Sequence, residues 1–257
     1  MSSAEILTRA EYVFVAKLAE EAERFEDVIS QIKILAYAYD ARLTVEERNL
    51  LSVAYKNVTN SLRNSWRVID SLETLESSRP KPRRLLLIRH EKVKIERKLA
   101  GICRDIVKIL DDRLLPFARL GEETVFYAKM QGDYYRYIVQ FAPKEERDHY
   151  AKLSLSAYKS AYKHAIGELE PTHPTRLGLA LNFAVYYHDV LNSPDRACHL
   201  AKHAFDEGVQ CLDQRDNSQR GQDFRDSLMI LQLLRDDLIL WASEMKNETG
   251  ANMLSVE

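Results

Sequence analysis

The chain of 257 residues carries eight glycines and seven prolines, about 6% where an average protein has roughly 12%. So few turn residues predict long helices, and argue against β-sandwiches, barrels and enzymes built on a glycine-rich phosphate loop. With 37 Lys and Arg against 39 Asp and Glu, the net charge of −2 offers no global basic field to nucleic acid or an anionic membrane, so any anion site must be local.

Two shorter helices are expected before Val45. From Val45 to about Leu75 the apolar residues Val45, Leu51, Val58, Leu62, Ile69 and Leu72 keep one helical face dry, which predicts a helix of some thirty residues. Its start at Thr44-Val45-Glu46-Glu47 has the capping-box pattern. A similar periodicity runs from about Leu85 to Leu115. Shorter helices follow at Glu122–Phe141, Lys144–Glu168, Pro174–Leu191, Pro194–Leu212 and Gln222–Glu244, with Pro174 and Pro194 placed where a first turn accepts proline. The breaks fall at Ser77–Pro82, Pro116, Pro143, Pro171–Pro174, Ser193-Pro194 and Asp216–Gly221. The result is an all-α fold of about nine helices, antiparallel across short links, in one domain over 1–244 with a short flexible tail at 245–257. No repeat period and no composition shift suggests another boundary.

Three widely spaced cysteines, Cys103, Cys198 and Cys211, fit free thiols. Glu5 and Glu11 interrupt the apolar residues of the N-terminus, which argues against a signal peptide. The longest uncharged stretch, about Leu177 to Tyr187, falls well short of the ~20 apolar residues of a membrane helix. The expectation is a cytoplasmic protein, with the nucleus also open to it, and no membrane or nucleic-acid partner.

Charge placement carries the chemistry. Lys56 and Arg63 lie seven apart with Asn60 between them and Arg67 four later. Lys129 and Arg136 repeat the spacing, with Asp133 between and Tyr137 adjacent. Either pair alone reads as a solvated helix face; two converged pairs would repel unless a dianion or carboxylates shared the site. The stripes Leu181, Val185, His188 with Asn182 and Asp189, and Met229, Ile230, Leu233, Asp237, Trp241, mix apolar and polar groups as an extended peptide requires, although periodicity alone favours core packing for the apolar members. His199 and His203 have the spacing of a zinc helix, but Leu200 stands where such a motif has Glu, so no metal and no cofactor is expected. The basic run Arg79–Arg84 reads as an inter-helix loop, and no nucleophile–base pairing points to an enzyme.

At these residues the sequence closely resembles the 14-3-3 family. RNLLSVAYKN at Arg48–Asn57 matches one family signature as it stands, and FRDSLMILQLLRDDLILW at Phe224–Trp241 is similar to the other with substitutions. KMQGDYYRY at Lys129–Tyr137, PTHPTRLGLALNF at Pro171–Phe183 and LNSPDRAC at Leu191–Cys198 extend the match, which covers roughly Glu11 to Ser243. The resemblance implies a nine-helix array with an amphipathic concave groove, in which a non-catalytic adaptor clamps phosphoserine or phosphothreonine segments of client proteins. It gives Lys56, Arg63, Arg136 and the Tyr137 hydroxyl to the phosphate and places Lys129 alongside the peptide. Asn182 would grip the peptide backbone, and Leu181, Val185, Ile230, Leu233 and Trp241 would form the opposite wall. The alternative is a helical scaffold that has weakened or lost phosphate recognition and acts through dimerisation.

Four departures stand in that groove. Asp237 replaces a usual Asn, Asp189 a Glu, His188 a Tyr and Gln131 a frequent Lys. Together they lower the groove's positive potential and predict weaker binding, or a preference for ligands with extra basic residues. The resemblance further implies a dimer, as a homodimer or with a paralogue, through Leu18, Ala22, Arg24, Asp27, Ser65, Ile69, Glu91 and Lys94. Asp27 opposite Lys94 keeps one expected inter-subunit pair, whereas Lys98 faces Arg24 with like charge. Ser65 and Ser193 resemble regulatory phosphorylation sites of the family.

Overall fold

The computed structural model describes residues 7–39, 42–78, 81–213 and 221–254. Among these residues the chain forms nine α-helices and no strand: α1 (Arg9–Glu21), α2 (Phe25–Ala38), α3 (Val45–Ser77), α4 (Pro82–Ile109), α5 (Glu122–Phe141), α6 (Lys144–Glu168), α7 (Pro174–Asp189), α8 (Pro194–Asp213) and α9 (Gln222–Leu254). Thr44 and Glu47 form the expected capping box. The Glu47 amide donates to Thr44 Oγ1 at 3.2 Å, and the Thr44 amide to Glu47 Oε2 at 2.7 Å. Pro174 and Pro194 open their helices as the sequence predicts. The chain clusters into two compact units, 1–118 and 119–257.

Two boundaries differ from the sequence reading. The helix expected through Leu115 is α-helical only to Ile109. It then widens into a π turn at Leu110–Leu114 and tightens to a 3-10 turn at Leu115–Phe117. Pro116 has no N–H to continue the ladder, so the last turn re-pairs with Leu115 donating to Leu110. At the other end α9 runs to Leu254, ten residues beyond Glu244, where the sequence reading begins its flexible tail. No proline follows Glu244 to remove a backbone donor. The expected breaks at Arg79-Pro80 and over 216–220 lie outside the described residues.

In the first unit α2 packs on α1 and α3, and α3 on α4. Its core joins Ile32, Leu35, Leu51, Tyr55, Leu99 and Ile106. Tyr55 donates to Asp105 Oδ2 at 2.5 Å, and Lys33 reaches Oδ1 of the same carboxylate at 2.5 Å, so one Asp of α4 ties down α2 and α3. Arg9 bonds both oxygens of Glu47, which is only 1% exposed. Burial opposes that charge. The bonds from Arg9 and Thr44 outweigh it and hold the carboxyl below its usual range.

The second unit is built on small residues. Ala180 and Ala184 of α7 meet Ala197, Ala201 and Ala204 of α8, with Leu177, Leu231, Leu234 and Trp241 closing the cluster. At Gly208 a Cβ would stand 2.9 Å from Leu231 Cδ2, so α8 and α9 approach closely there and an added methyl would have to displace the end of the Leu231 side chain. Tyr158, Phe183 and Tyr186 form an aromatic block between α6 and α7.

Candidate functional site

The signature Arg48–Asn57 divides by burial. Leu50, Leu51, Ala54 and Tyr55 are core, while Lys56 and Asn57 are exposed. The motif therefore builds the first unit and presents Lys56 on the open side of α3. Two turns on, Arg63 is half-buried and lies close enough to Cys103 for its charge to act there. Cys103 is fully buried, and desolvation pushes its thiol up to about 12, so it is no nucleophile.

The second pair is organised by Asp133 of α5, which is 6% exposed. Lys129 Nζ reaches its Oδ2 at 2.9 Å. Its Oδ1 accepts from Tyr158 Oη at 2.5 Å and from Asn182 Nδ2 at 2.8 Å, with Arg136 Nη2 at 3.7 Å. Burial works to raise its pKa, yet the charges of Lys129 and Arg136 and the Tyr158 bond prevail and lower it. Arg136, 8% exposed, donates from Nε to Tyr158 Oη at 3.1 Å and lies 4.9 Å from the Tyr137 ring centre. Burial opposes its charge, but its neighbours raise the pKa and keep the guanidinium ionised. Neither Nη group forms a hydrogen bond among the described residues. The arrangement fixes a buried arginine with donors to spare, which suits a planar, multi-oxygen anion.

Positions around this centre follow the sequence expectation in part. A Cβ on Gly178 of α7 would meet Lys129 Cε at 3.7 Å and Ile230 Cδ1 at 3.8 Å, so α5, α7 and α9 converge there. Leu181, Val185 and Ile230 pack half-buried against the core cluster, and Leu233 is 46% exposed. Trp241, expected on a groove wall, is 3% exposed and belongs to the core, because its ring closes the cluster of α7 and α8 alanines. Its outer face stacks on His188 at 5.0 Å between centroids. His188 in turn bridges Asp189 (2.9 Å) and Glu244 (3.1 Å), a link from α7 to α9 that the sequence does not announce. Asp237 is half-buried near Asp189. Burial and the charges of Asp189 and Asp236 raise its pKa, against the opposing effect of His188.

Sequence reasoning also misses Gly132, Tyr158 and Ser154. A Cβ on Gly132 would lie 2.8 to 3.0 Å from three ring carbons of Tyr158. Ser154 Oγ donates to the Gly132 carbonyl at 2.9 Å and fixes the same approach of α6 to α5. The available signal was a glycine in mid-helix beside the basic pair, since such a residue needs a packing reason. Among the described residues no cluster of His, Cys, Asp or Glu has metal-binding geometry; His203 instead pairs with Glu207 at 3.3 Å.

A family-wide sequence profile described as 14-3-3 protein matches residues 15–242. The chain belongs to the 14-3-3 family. It is 52% identical over 243 residues to the 14-3-3-like protein GF14 omega of Arabidopsis thaliana, covering 94% of this chain and 92% of that one. With the checkpoint signal transducer rad24 of Schizosaccharomyces pombe it shares 50% over 244 residues, 95% of this chain and 88% of the relative. The 14-3-3-like protein A of Vicia faba is 52% identical over 241 residues, 93% and 91% of the two chains. Proteins of this family are non-catalytic adaptors that bind phosphoserine or phosphothreonine in their clients, and this chain is one of them.

Two outcomes follow from the geometry. Gly132→Ala would gain up to about 1 kcal/mol of helix propensity, but forcing Tyr158 aside costs about 1–3 kcal/mol. Thermal unfolding should therefore show net destabilisation; a stabilised variant refutes the close approach. Asp237→Asn removes a carboxylate that is costly to ionise in the fold. The variant should be the more stable at pH 7, and the gap should close as pH falls through the raised Asp237 pKa toward the ordinary carboxylate range, because the wild-type side chain is then neutral too. Denaturation midpoints measured across that range check the sign.

Proposed function

We propose that this 14-3-3 protein takes the phosphate of its clients on Lys56, Arg63 and Arg136 with the Tyr137 hydroxyl. The observation that carries the reading is the fixed, still-donating guanidinium of Arg136, held by Tyr158 and the buried Asp133. A phosphoserine brings about −1.5 to −2 charges and three acceptor oxygens at pH 7, and arginine forks with a lysine answer both. The assignment of Lys56 and Arg63 rests on the family pattern and on their common stripe of α3.

Lys129 and Asn182 flank the peptide. Asn182 gives one amide hydrogen to Asp133 and keeps a second donor and its oxygen for a backbone. Leu181, Val185, Ile230 and Leu233 receive side chains, with Trp241 supporting that wall from the core. Asp189 and Asp237 sit on the same side and favour clients whose flanking residues are basic. The scaffold alternative has less support, because a buried arginine and a buried aspartate, each hydrogen-bonded to Tyr158, cost desolvation that a drifted site has no reason to keep.

The chain acts as a dimer. Leu18, Val68, Leu72, Leu75, Leu86 and Leu87 are exposed apolar side chains of the first unit, more than a lone surface needs. Around them Arg24 pairs with Asp27, Lys94 with Glu91 (2.8 Å) and Lys98 with Glu26 (3.1 Å), so the like charges expected at this face have partners within the chain. Both a homodimer and a pairing with a paralogue remain open to such a face. Among the described residues no helix is long and apolar enough to cross a membrane, and the cytoplasm is the proposed location.

Fluorescence anisotropy with an Arg-containing phosphoserine peptide and its unphosphorylated twin tests the site. Each charge-assisted bond contributes about 1.5–3 kcal/mol, so Arg63→Ala should weaken the phosphopeptide at least about tenfold. The twin should bind poorly to both proteins, and Asp237→Asn should tighten a phosphopeptide without basic flanking residues up to about fivefold, with a smaller gain for the Arg-containing one. Equal, weak binding of the two peptides to wild type would leave the scaffold reading in front. For the dimer, sedimentation velocity at micromolar concentration should give twice the chain mass, and a monomer there would refute it.

A further inference from the structure

A cavity of about 740 Å³ opens among α6, α7 and α8 of the second unit, with no residue in common with the phosphate or peptide positions above. Its floor is aromatic and apolar: Phe183 stacks on Tyr187 at 4.7 Å and 27°, Tyr162 meets Phe183 edge-on at 6.1 Å, and Leu200 completes the wall. Ile166, half exposed, stands at the mouth. Volume and lining match sites that take small organic ligands, which are mostly apolar with a few placed polar groups.

The rim supplies the polar groups, and they are cationic. Lys159 and Lys163 sit one turn apart on α6, and Arg196 faces them from α8; Asp195 and His199 are the other titratable residues of the lining. Like charges one turn apart repel mildly on a helix. None of the three cations forms a hydrogen bond or ion pair among the described residues, although basic residues nearby do: Arg176 and His203 pair with Glu207, and Lys202 with Asp206. Three cations around an aromatic floor, opposed by one carboxylate, lack an anion that also has an apolar body.

We infer that this cavity is a second ligand site, for a small aromatic organic anion whose ring system lies on Phe183, Tyr187 and Tyr162 and whose carboxylate or sulfonate meets Lys159, Lys163 and Arg196. The ring stack supplies affinity and the cations supply selectivity for charge over neutral analogues.

The probe is 8-anilinonaphthalene-1-sulfonate, with the uncharged N-phenyl-1-naphthylamine as its control, titrated into the full chain saturated with a phosphoserine peptide. The sulfonate should bind one molecule per chain and shift the methyl resonances of Ile166 and Leu200. The combined Lys159→Glu, Lys163→Glu and Arg196→Glu variant, altered only at exposed positions, should weaken it at least about tenfold and leave the neutral control within about twofold. Circular dichroism checks that the variant is folded, and the methyl shifts need no variant at all. The inference falls if the phosphopeptide displaces the probe, if the Ile166 and Leu200 methyls do not move, or if charge reversal affects both dyes equally. It falls equally if the triple change abolishes self-association while the dye binds unchanged, because the occupant is then a second copy of the chain.

Discussion

The buried carboxylate of Asp133 is the constraint on which the second unit turns. A charge at that depth is tolerable only when cations and donors surround it, and α5 provides Lys129 one turn before it and Arg136 one turn after. Tyr158 from α6 and Asn182 from α7 complete the shell, so one side chain fixes the mutual placement of three helices. Removing it would leave Arg136 buried without a counter-charge, a loss of about 3–5 kcal/mol. The same arrangement keeps the Arg136 guanidinium from collapsing fully onto the acid. Its Nε is taken by Tyr158, and the 3.7 Å separation of Nη2 from the carboxylate leaves the fork able to bond elsewhere.

Helices were legible because their apolar period is local. The stripe from Val45 to Leu72, the Thr44 cap and the prolines at 174 and 194 act within a few residues of one another. The basic pairs were legible for the same reason. What escaped depends on contacts across 20 or more positions: Tyr158 on Asp133 and on Gly132, His188 on Glu244, and the closing of the α7 and α8 alanine cluster by Trp241. The π turn at Leu110–Leu114 escaped for a local reason. Its residues fit an α-helix well, and only the missing donor of Pro116 re-pairs them.

The α7–α9 side of the proposed peptide positions shows how electrostatics separates affinity from selectivity. Asp189, Asp236 and Asp237 concentrate negative charge, and His188 lies between Asp189 and Glu244 with its ring on Trp241. A dianion bound nearby is disfavoured by these carboxylates, yet a peptide whose flanks are basic gains from them. A shift of this kind alters which clients compete well while the cations proposed to hold the phosphate stay intact. Protonation of Asp237 would relax that bias, because the neutral acid can donate a hydrogen bond where the carboxylate cannot.

Helix α7 carries these roles at once, and its period explains how. Leu177, Ala180 and Ala184 face the α8–α9 core with Leu181 and Val185 packed at its edge, while Asn182 reaches Asp133. Phe183 and Tyr187, four apart, share the remaining side with α6. Phe183 stacks on Tyr158 at 5.3 Å as well as on Tyr187, so the ring that floors the outer cavity also backs the tyrosine that positions Asp133 and Arg136. A close-packed interior transmits displacement across such a stack and does not absorb it. Substituting Phe183 would therefore disturb both proposed sites, whereas the exposed cations at the cavity rim can be changed without touching Arg136.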